Sequence, residues 1–162
     1  MSITSSKKGF TLVELVVTIA IIAILAAIAI PAVTGIVSGA NNSTADANAA
    51  ALDMACKDFF TGVSTGTITK DNAFAVSPSK LPAKSDPLST KQNIAKNLTV
   101  KEAVAYAGVR LQHTFPDDAS LSDFQFDDAD GTVTYKGENG ALQTGHTQLT
   151  IDTKLKDMYK NV

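Results

Sequence analysis

Residues 7–31 read KKGFTLVELVVTIAIIAILAAIAIP, and this stretch decides the fold. Between Phe10 and Ile30 lie 21 residues, counting both ends, and Glu14 is the only charged one among them. An α-helix of that length measures about 32 Å, enough to cross the hydrocarbon core of a bilayer. We therefore predict one transmembrane helix, with Lys7 and Lys8 holding its N-terminal end on the cytoplasmic side.

The lone carboxylate of Glu14 sets this helix apart from a plain anchor. A charged group inside a membrane is costly unless it is paired, so its presence indicates a specific use. A secretory signal peptide would be cleaved after its apolar run, but no convincing site follows Ile30, since Pro31 next to the bond disfavours cleavage. The simplest alternative is an uncleaved N-terminal anchor.

The residues around Gly9 resemble a known processing site. A short basic leader, then Gly9-Phe10-Thr11-Leu12-Val13-Glu14 and an unbroken apolar run, is similar to the processing site of type IV pilins and of the related pseudopilins. The resemblance covers about a quarter of the chain. It implies that a prepilin peptidase cleaves between Gly9 and Phe10 and methylates the new amine of Phe10.

The resemblance also implies how the subunits assemble. The N-terminal helices would bundle in the filament centre, where Glu14 of one subunit can pair with the Phe10 amine of a neighbour. Breaking one partner of a buried pair costs about 3–5 kcal/mol, so this pair would set the register between subunits. In the bilayer we expect Glu14 to have no partner; the alternative is a protonated or snorkelling side chain. A cytoplasmic ATPase and a membrane platform protein would add the subunits.

Composition limits the remaining functions. The 162 residues suit one domain with an extended helix, and the net charge of −2 becomes −4 if residues 1–9, with Lys7 and Lys8, are removed. A mildly acidic surface gives no electrostatic reason to bind nucleic acid. Cys56 is the only cysteine, so the head must be held without an intrachain disulfide, and we expect Cys56 to be a small buried hydrophobe.

We predict that the helix continues past the membrane to residue 61. Pro31, Gly35 and Gly39 are expected to make it flexible, whereas the alternative is a fixed kink at Pro31. Gly62 is the predicted end. Beyond Gly39 apolar residues recur at helical spacing, as an amphipathic helix requires: Ala45, Ala49, Leu52, Cys56, Phe59, Phe60 and Val63.

The rest of the chain predicts short elements. A connecting segment, 62–98, contains a short helix at 89–96. Thr99 and Glu102 form a capping-box pattern before a helix at 100–112. Alternating residues predict three strands, at 123–127, 132–136 and 148–152, joined as an antiparallel meander. On the first helix, Asp53 and Lys57 are spaced for an ion pair.

The predicted fold class is α+β: a long N-terminal helix packed on a small antiparallel sheet, as in the type IV pilin fold. We divide the chain into a leader peptide (1–9), a transmembrane and filament-core helix (10–31), its amphipathic continuation (32–61) and a globular head (62–162). The head would carry a variable loop, a short helix and the C-terminal meander.

An acidic cluster in the head suggests a calcium site. Asp127, Asp128 and Asp130 precede Gly131, but aligning Gly131 with the glycine of an EF-hand loop puts Phe126 at the first ligand position. We therefore favour a solvated hairpin, with calcium bound through other ligands as the alternative. We expect no metal, no cofactor and no catalytic group.

These observations predict a structural subunit of a type IV pilus, not an enzyme. It would wait in the cytoplasmic membrane as a single-pass precursor and then enter a surface filament that supports adhesion, twitching motility or DNA uptake. One alternative is a pseudopilin of a type II secretion or competence system, although the acidic cluster does not match the calcium loop expected of a major pseudopilin. Another is a simple anchored binding domain that keeps residues 1–9.

Overall fold

The computed structural model describes residues 9–73, 75–111, 114–117, 120–137 and 139–160. The predicted leader, apart from Gly9, lies outside the described residues. The chain divides into two compact units at Asn41–Asn42. The first unit contains the N-terminal part of one helix, and the second contains the rest of that helix and all other elements.

Helix α1 runs from Leu12 to Thr65, through Pro31. It extends four residues past the predicted end at residue 61, so Gly62 lies inside the helix. A side chain at Gly62 would collide with Ile68, which folds back to donate its N–H to the Gly62 carbonyl at 2.8 Å. Gly62 therefore permits close packing rather than ending the helix.

In the second unit, one face of α1 enters the core as predicted. The predicted apolar stripe is buried from Ala49 to Val63, and Cys56 is fully buried with it. Sheet residues Phe124, Phe126 and Val133 belong to the same core. The fold class is therefore α+β, with a long helix packed against a small antiparallel sheet, consistent with the pilin fold.

Both expected helices form, one at the end of the connecting segment and one directly after it. A short 3₁₀ turn at Pro78–Lys80 precedes α2, Leu88–Asn97, and α3, Val100–Leu111. The backbone N–H and hydroxyl of Thr99 both bond to Glu102, which confirms the predicted capping box. The predicted helix end at residue 112 lies outside the described residues.

The sheet contains β1, Phe124–Asp127, β2, Val133–Tyr135, and β3, His146–Gln148. Its order is β2-β1-β3, with both outer strands antiparallel to β1. The predicted meander is therefore wrong, because β3 pairs with β1 and not with β2. The third strand also begins two residues earlier than predicted, and Ile151 and Asp152 lie in a turn.

The side chain of Gln125 joins β1 to the segment between β2 and β3. The alternating pattern of β1 places Gln125 on a polar face, yet it is fully buried. Its Oε1 accepts the backbone N–H of Gln143 at 3.0 Å, and its Nε2 donates to the Thr134 hydroxyl at 3.3 Å. Gln143 belongs to the connection between β2 and β3, so this bond holds the connection against β1 while it crosses to the far edge.

The C-terminal segment is held by backbone hydrogen bonds and packing. Leu155 donates its N–H to the Leu98 carbonyl at 2.8 Å, and Val100 donates to Thr153 at 2.9 Å. Beyond them α4, Leu155–Met158, buries Leu155 and Met158 completely. Because a single cysteine cannot form an intrachain disulfide, these contacts hold the C-terminal segment to the second unit.

Candidate assembly site at the N-terminus

The Gly9–Phe10 bond lies just before α1. Residues 9–11 are not helical, and the side chain of Phe10 is 86% exposed. Among the described residues other than its chain neighbours, none has an atom within 4 Å of a Cβ built on Gly9. The bond is thus open to a protease, which binds its substrate in an extended form. Cleavage and methylation at this bond stay predictions.

Glu14 is paired with Thr11 in a capping box. Thr11 is the residue before the helix, and its backbone N–H and hydroxyl donate to Oε2 of Glu14 at 2.9 and 2.7 Å. In return the Glu14 N–H donates to the Thr11 hydroxyl at 3.2 Å. This arrangement satisfies donors that a helix start leaves unpaired. The absence of a charged partner for Glu14 in the bilayer stays a prediction.

Thr11 is the functional residue that sequence reasoning missed. Thr11-Leu12-Val13-Glu14 follows the same spacing as Thr99 and Glu102, and it directly precedes an apolar run. The pattern would have identified the box, because both bonds are local. The box fixes the direction of the Glu14 carboxylate before any subunit approaches.

One oxygen of Glu14 remains available. Both bonds from Thr11 go to Oε2, and within the described part of the chain Oε1 accepts none. A carboxylate can accept about four hydrogen bonds, so Oε1 can receive a charged donor without breaking the cap. An amine on a second chain is such a donor.

The apolar side chains of the first unit are exposed. Among the described residues α1 is the one helix long and apolar enough to cross a membrane, and its most apolar window buries nothing within the chain. Leu12, Ile28 and Ile36 are at least 70% exposed. A surface of this kind requires lipid or other apolar helices around it, and together with the prepilin motif reported below it indicates membrane anchoring.

The three residues predicted to give flexibility lie inside a continuous helix. The Thr34 hydroxyl donates to the carbonyl of Pro31 at 2.9 Å, and open space surrounds Gly35 and Gly39. The helix is thus not broken at Pro31. Movement at these positions stays a prediction.

The carboxylates of the acidic cluster in the second unit accept hydrogen bonds from within the chain. The Ala129 N–H bonds to Asp127 at 2.7 Å, and the Thr147 hydroxyl bonds to Asp128 at 2.7 Å. The backbone N–H of Thr132 bonds to Asp130 and holds the pKa of that carboxyl below its usual value. No group of three or more metal-binding side chains occurs in the ranges that the structure describes.

Two other polar features of the second unit are structural. The ion pair between Asp53 and Lys57, at 2.9 Å, is confirmed, and Asp53 also accepts the backbone N–H of Val133 in β2. Burial raises the pKa of the Cys56 thiol to about 12, with a smaller contribution from Asp53. A thiol in that state is not a nucleophile near neutral pH.

Comparison with known proteins bears on the N-terminus alone. Residues 4–30 match the family model described as the prokaryotic N-terminal methylation motif. No curated protein and no solved structure matches the chain at a significant level. The motif implies processing by a prepilin peptidase and assembly into a pilus-like polymer. The chain therefore carries a type IV prepilin-like signal at residues 4–30, joined to an α+β fold consistent with that of the pilins.

Proposed function

We propose that this chain is the structural subunit of a type IV pilus, and not an enzyme. Prepilin peptidase cuts between Gly9 and Phe10 and methylates the new amine, and a cytoplasmic ATPase with a membrane platform protein adds the subunit to a surface filament. The filament serves adhesion, twitching motility or DNA uptake. The observation that carries the proposal is the methylation motif leading directly into an exposed apolar helix with one carboxylate in its first turn.

The geometry of Glu14 supports a pairing role. Cleavage gives Phe10 a positive amine, and Oε1 of Glu14 is open to the amine of a second subunit. The hydrogen bonds from Thr11 already orient the carboxylate, so less free energy is needed to orient it when the amine binds. A buried pair of this kind sets the register between helices more than it adds net stability.

The exposed helix suits both environments that the subunit would occupy. Lipid tails and neighbouring apolar helices are similarly apolar, so transfer between them carries no large hydrophobic penalty. Ala23 and Ala27 form a step of small residues that lets helices approach closely. Assembly adds a charged partner to Glu14, and this added pair favours transfer from the membrane to the filament.

The test is the intact mass of the protein in filaments sheared from the cell surface. We expect a species that begins at Phe10 and carries one extra methyl group. A cut species that stays in the membrane, absent from the sheared fraction, would favour a pseudopilin of a secretion or competence system. An uncut chain found only in the membrane would refute the proposal and leave a plain anchored domain.

A further inference from the structure

A small apolar patch lies where α1 meets α3 in the second unit. Met54, Asp58, Tyr106, Arg110 and Leu111 line a cavity of about 70 Å³ there, and we call this set the α1–α3 patch. Sites for small molecules usually measure roughly 300–1,000 Å³. The cavity instead has room for the end of one side chain, which favours a protein partner.

The apolar members of the patch are exposed although they lie beside the core. Met54 is 62% exposed and Leu111 is 57% exposed, whereas Tyr106 is half-buried with its ring 5.4 Å from that of Phe59. Methionine, tyrosine and arginine are enriched at the centres of protein interfaces. A flexible methionine beside a fixed tyrosine is suited to fitting a neighbouring surface.

Two opposite charges belong to the α1–α3 patch and do not pair with each other. Asp58 on α1 and Arg110 on α3 are both exposed and both line the cavity. Across the described residues neither of them forms an ion pair or a hydrogen bond through its side chain. A surface with one free acid and one free base is complementary to a second copy of itself, and this charge complementarity identifies the occupant.

We propose that the α1–α3 patch is a contact between neighbouring copies of this chain, with Asp58 of one copy facing Arg110 of the next. The proposal rests on the proposed function, because the contact joins subunits of the filament. In a filament whose subunits all point the same way, each contact would pair Asp58 of one copy with Arg110 of the next but not the reverse. Such a contact is heterologous, and contacts of that type generate open helical assemblies. It would join the second units, separately from the Glu14 pairing of the N-terminal helices.

The first test reverses each charge in the full-length protein in its own cells. In Asp58→Arg or Arg110→Asp, like charges face each other, and we expect sheared filaments to fall at least about tenfold relative to the membrane pool. The control is Asp46→Arg, which reverses an exposed acid on α1 outside the patch. Filament levels in the control should match those of the unmodified chain.

The second test mixes the two defective variants in one cell. Alternating copies would again place opposite charges together, so filaments should return toward the unmodified level. A defect inside each chain, including poor folding, cannot be repaired by mixing. Normal filaments from both single variants would overturn the proposal, as would a mixture that assembles no better than either variant alone.

Cross-linking separates failure of the patch from failure of the proposed function. Cells producing Asp58→Cys together with Arg110→Cys are treated with a short bismaleimide, and a covalent dimer is expected while the buried Cys56 does not react. Filaments of the unmodified chain combined with no dimer would overturn the patch alone. A chain that forms neither filaments nor dimers would overturn both proposals.

Discussion

The carboxylate of Glu14 accepts the backbone N–H and the hydroxyl of Thr11 on the same oxygen, Oε2, at 2.9 and 2.7 Å. One acidic residue thus caps its own helix and keeps its second oxygen open to another chain. The cap exists in the single subunit, whereas the open oxygen has a use only when a second subunit is present. Substitutions can separate these two roles.

Removing the charge of Glu14 should block assembly while membrane insertion and cleavage continue. Glu14→Ala loses both the cap and the charge, whereas Glu14→Gln keeps an oxygen that can accept the bonds from Thr11. We expect both variants to be cut and methylated at Phe10 but to yield few sheared filaments, because the partner amine would be left unpaired. Normal filaments from Glu14→Gln would show that the charge pair is not required.

Removing the hydroxyl of Thr11 should loosen the first turn of α1. Thr11→Val loses the side-chain cap, at a cost of about 1 kcal/mol, whereas Thr11→Ser keeps it. We expect faster amide hydrogen exchange at residues 12–14 of Thr11→Val in detergent micelles. Equal exchange in the two variants would mean that the backbone N–H of Thr11 alone holds the carboxylate.

Gly131 should not tolerate a side chain. Its φ is +77°, and a Cβ atom there would collide with the backbone carbonyl of Met158. We expect Gly131→Ala to lower the free energy of unfolding by about 3 kcal/mol or more, measured by urea titration of the full chain in detergent. The control is Gly140→Ala, where φ is +59° in open space and the loss should be about 1 kcal/mol.

The pair between Glu102 and Lys80 should make stability depend on pH. Burial acts to raise the pKa of Glu102, but the hydrogen bonds from Lys80 and Thr99 outweigh it and hold the pKa below its usual value of 4.5. Because the folded pKa is the lower one, the stabilisation is present above about pH 4.5 and is lost as the pH falls through the folded value. Urea titrations at several pH values should show this loss, and Glu102→Gln should reduce it. An unchanged pH profile in Glu102→Gln would assign the loss to other carboxyl groups.

Cys56 should be unreactive in the folded protein. Its side chain is fully buried, and burial raises the pKa of its thiol to about 12. We expect no modification by a maleimide at pH 7.5 in the native state and complete modification in urea, followed by mass spectrometry. Rapid native labelling would mean that the core around Cys56 opens frequently.

The helices were predictable because their signals are local. The apolar run, the helical spacing from Ala49 to Val63 and the capping box at Thr99 each depend on residues a few positions apart, and the structure contains all of them. The same reasoning applied to Thr11 would have found the cap at Glu14. The predicted helix end at Gly62 was wrong because the role of this glycine depends on Ile68, which folds back after the helix ends.

The strand order was not predictable because distant residues decide it. The burial of Gln125 and its bond to Gln143 join positions 18 apart, and no periodic pattern marks them. The hydrogen bonds that the Leu98 carbonyl accepts from Leu155 and that Val100 donates to Thr153 each span more than 50 residues. The α1–α3 patch likewise joins residues that are far apart in the chain, so the sequence alone indicated neither its cavity nor its free charges.

The position of the last core residues has a consequence for synthesis. Leu155 and Met158 fill the centre of the second unit, and α1 has no complete core to pack against until they arrive. Residues up to Met158 must therefore have been synthesised before the second unit can close, long after the N-terminal helix has left the ribosome. Chains that lack Leu155 and Met158 would keep the second unit open and exposed to proteases.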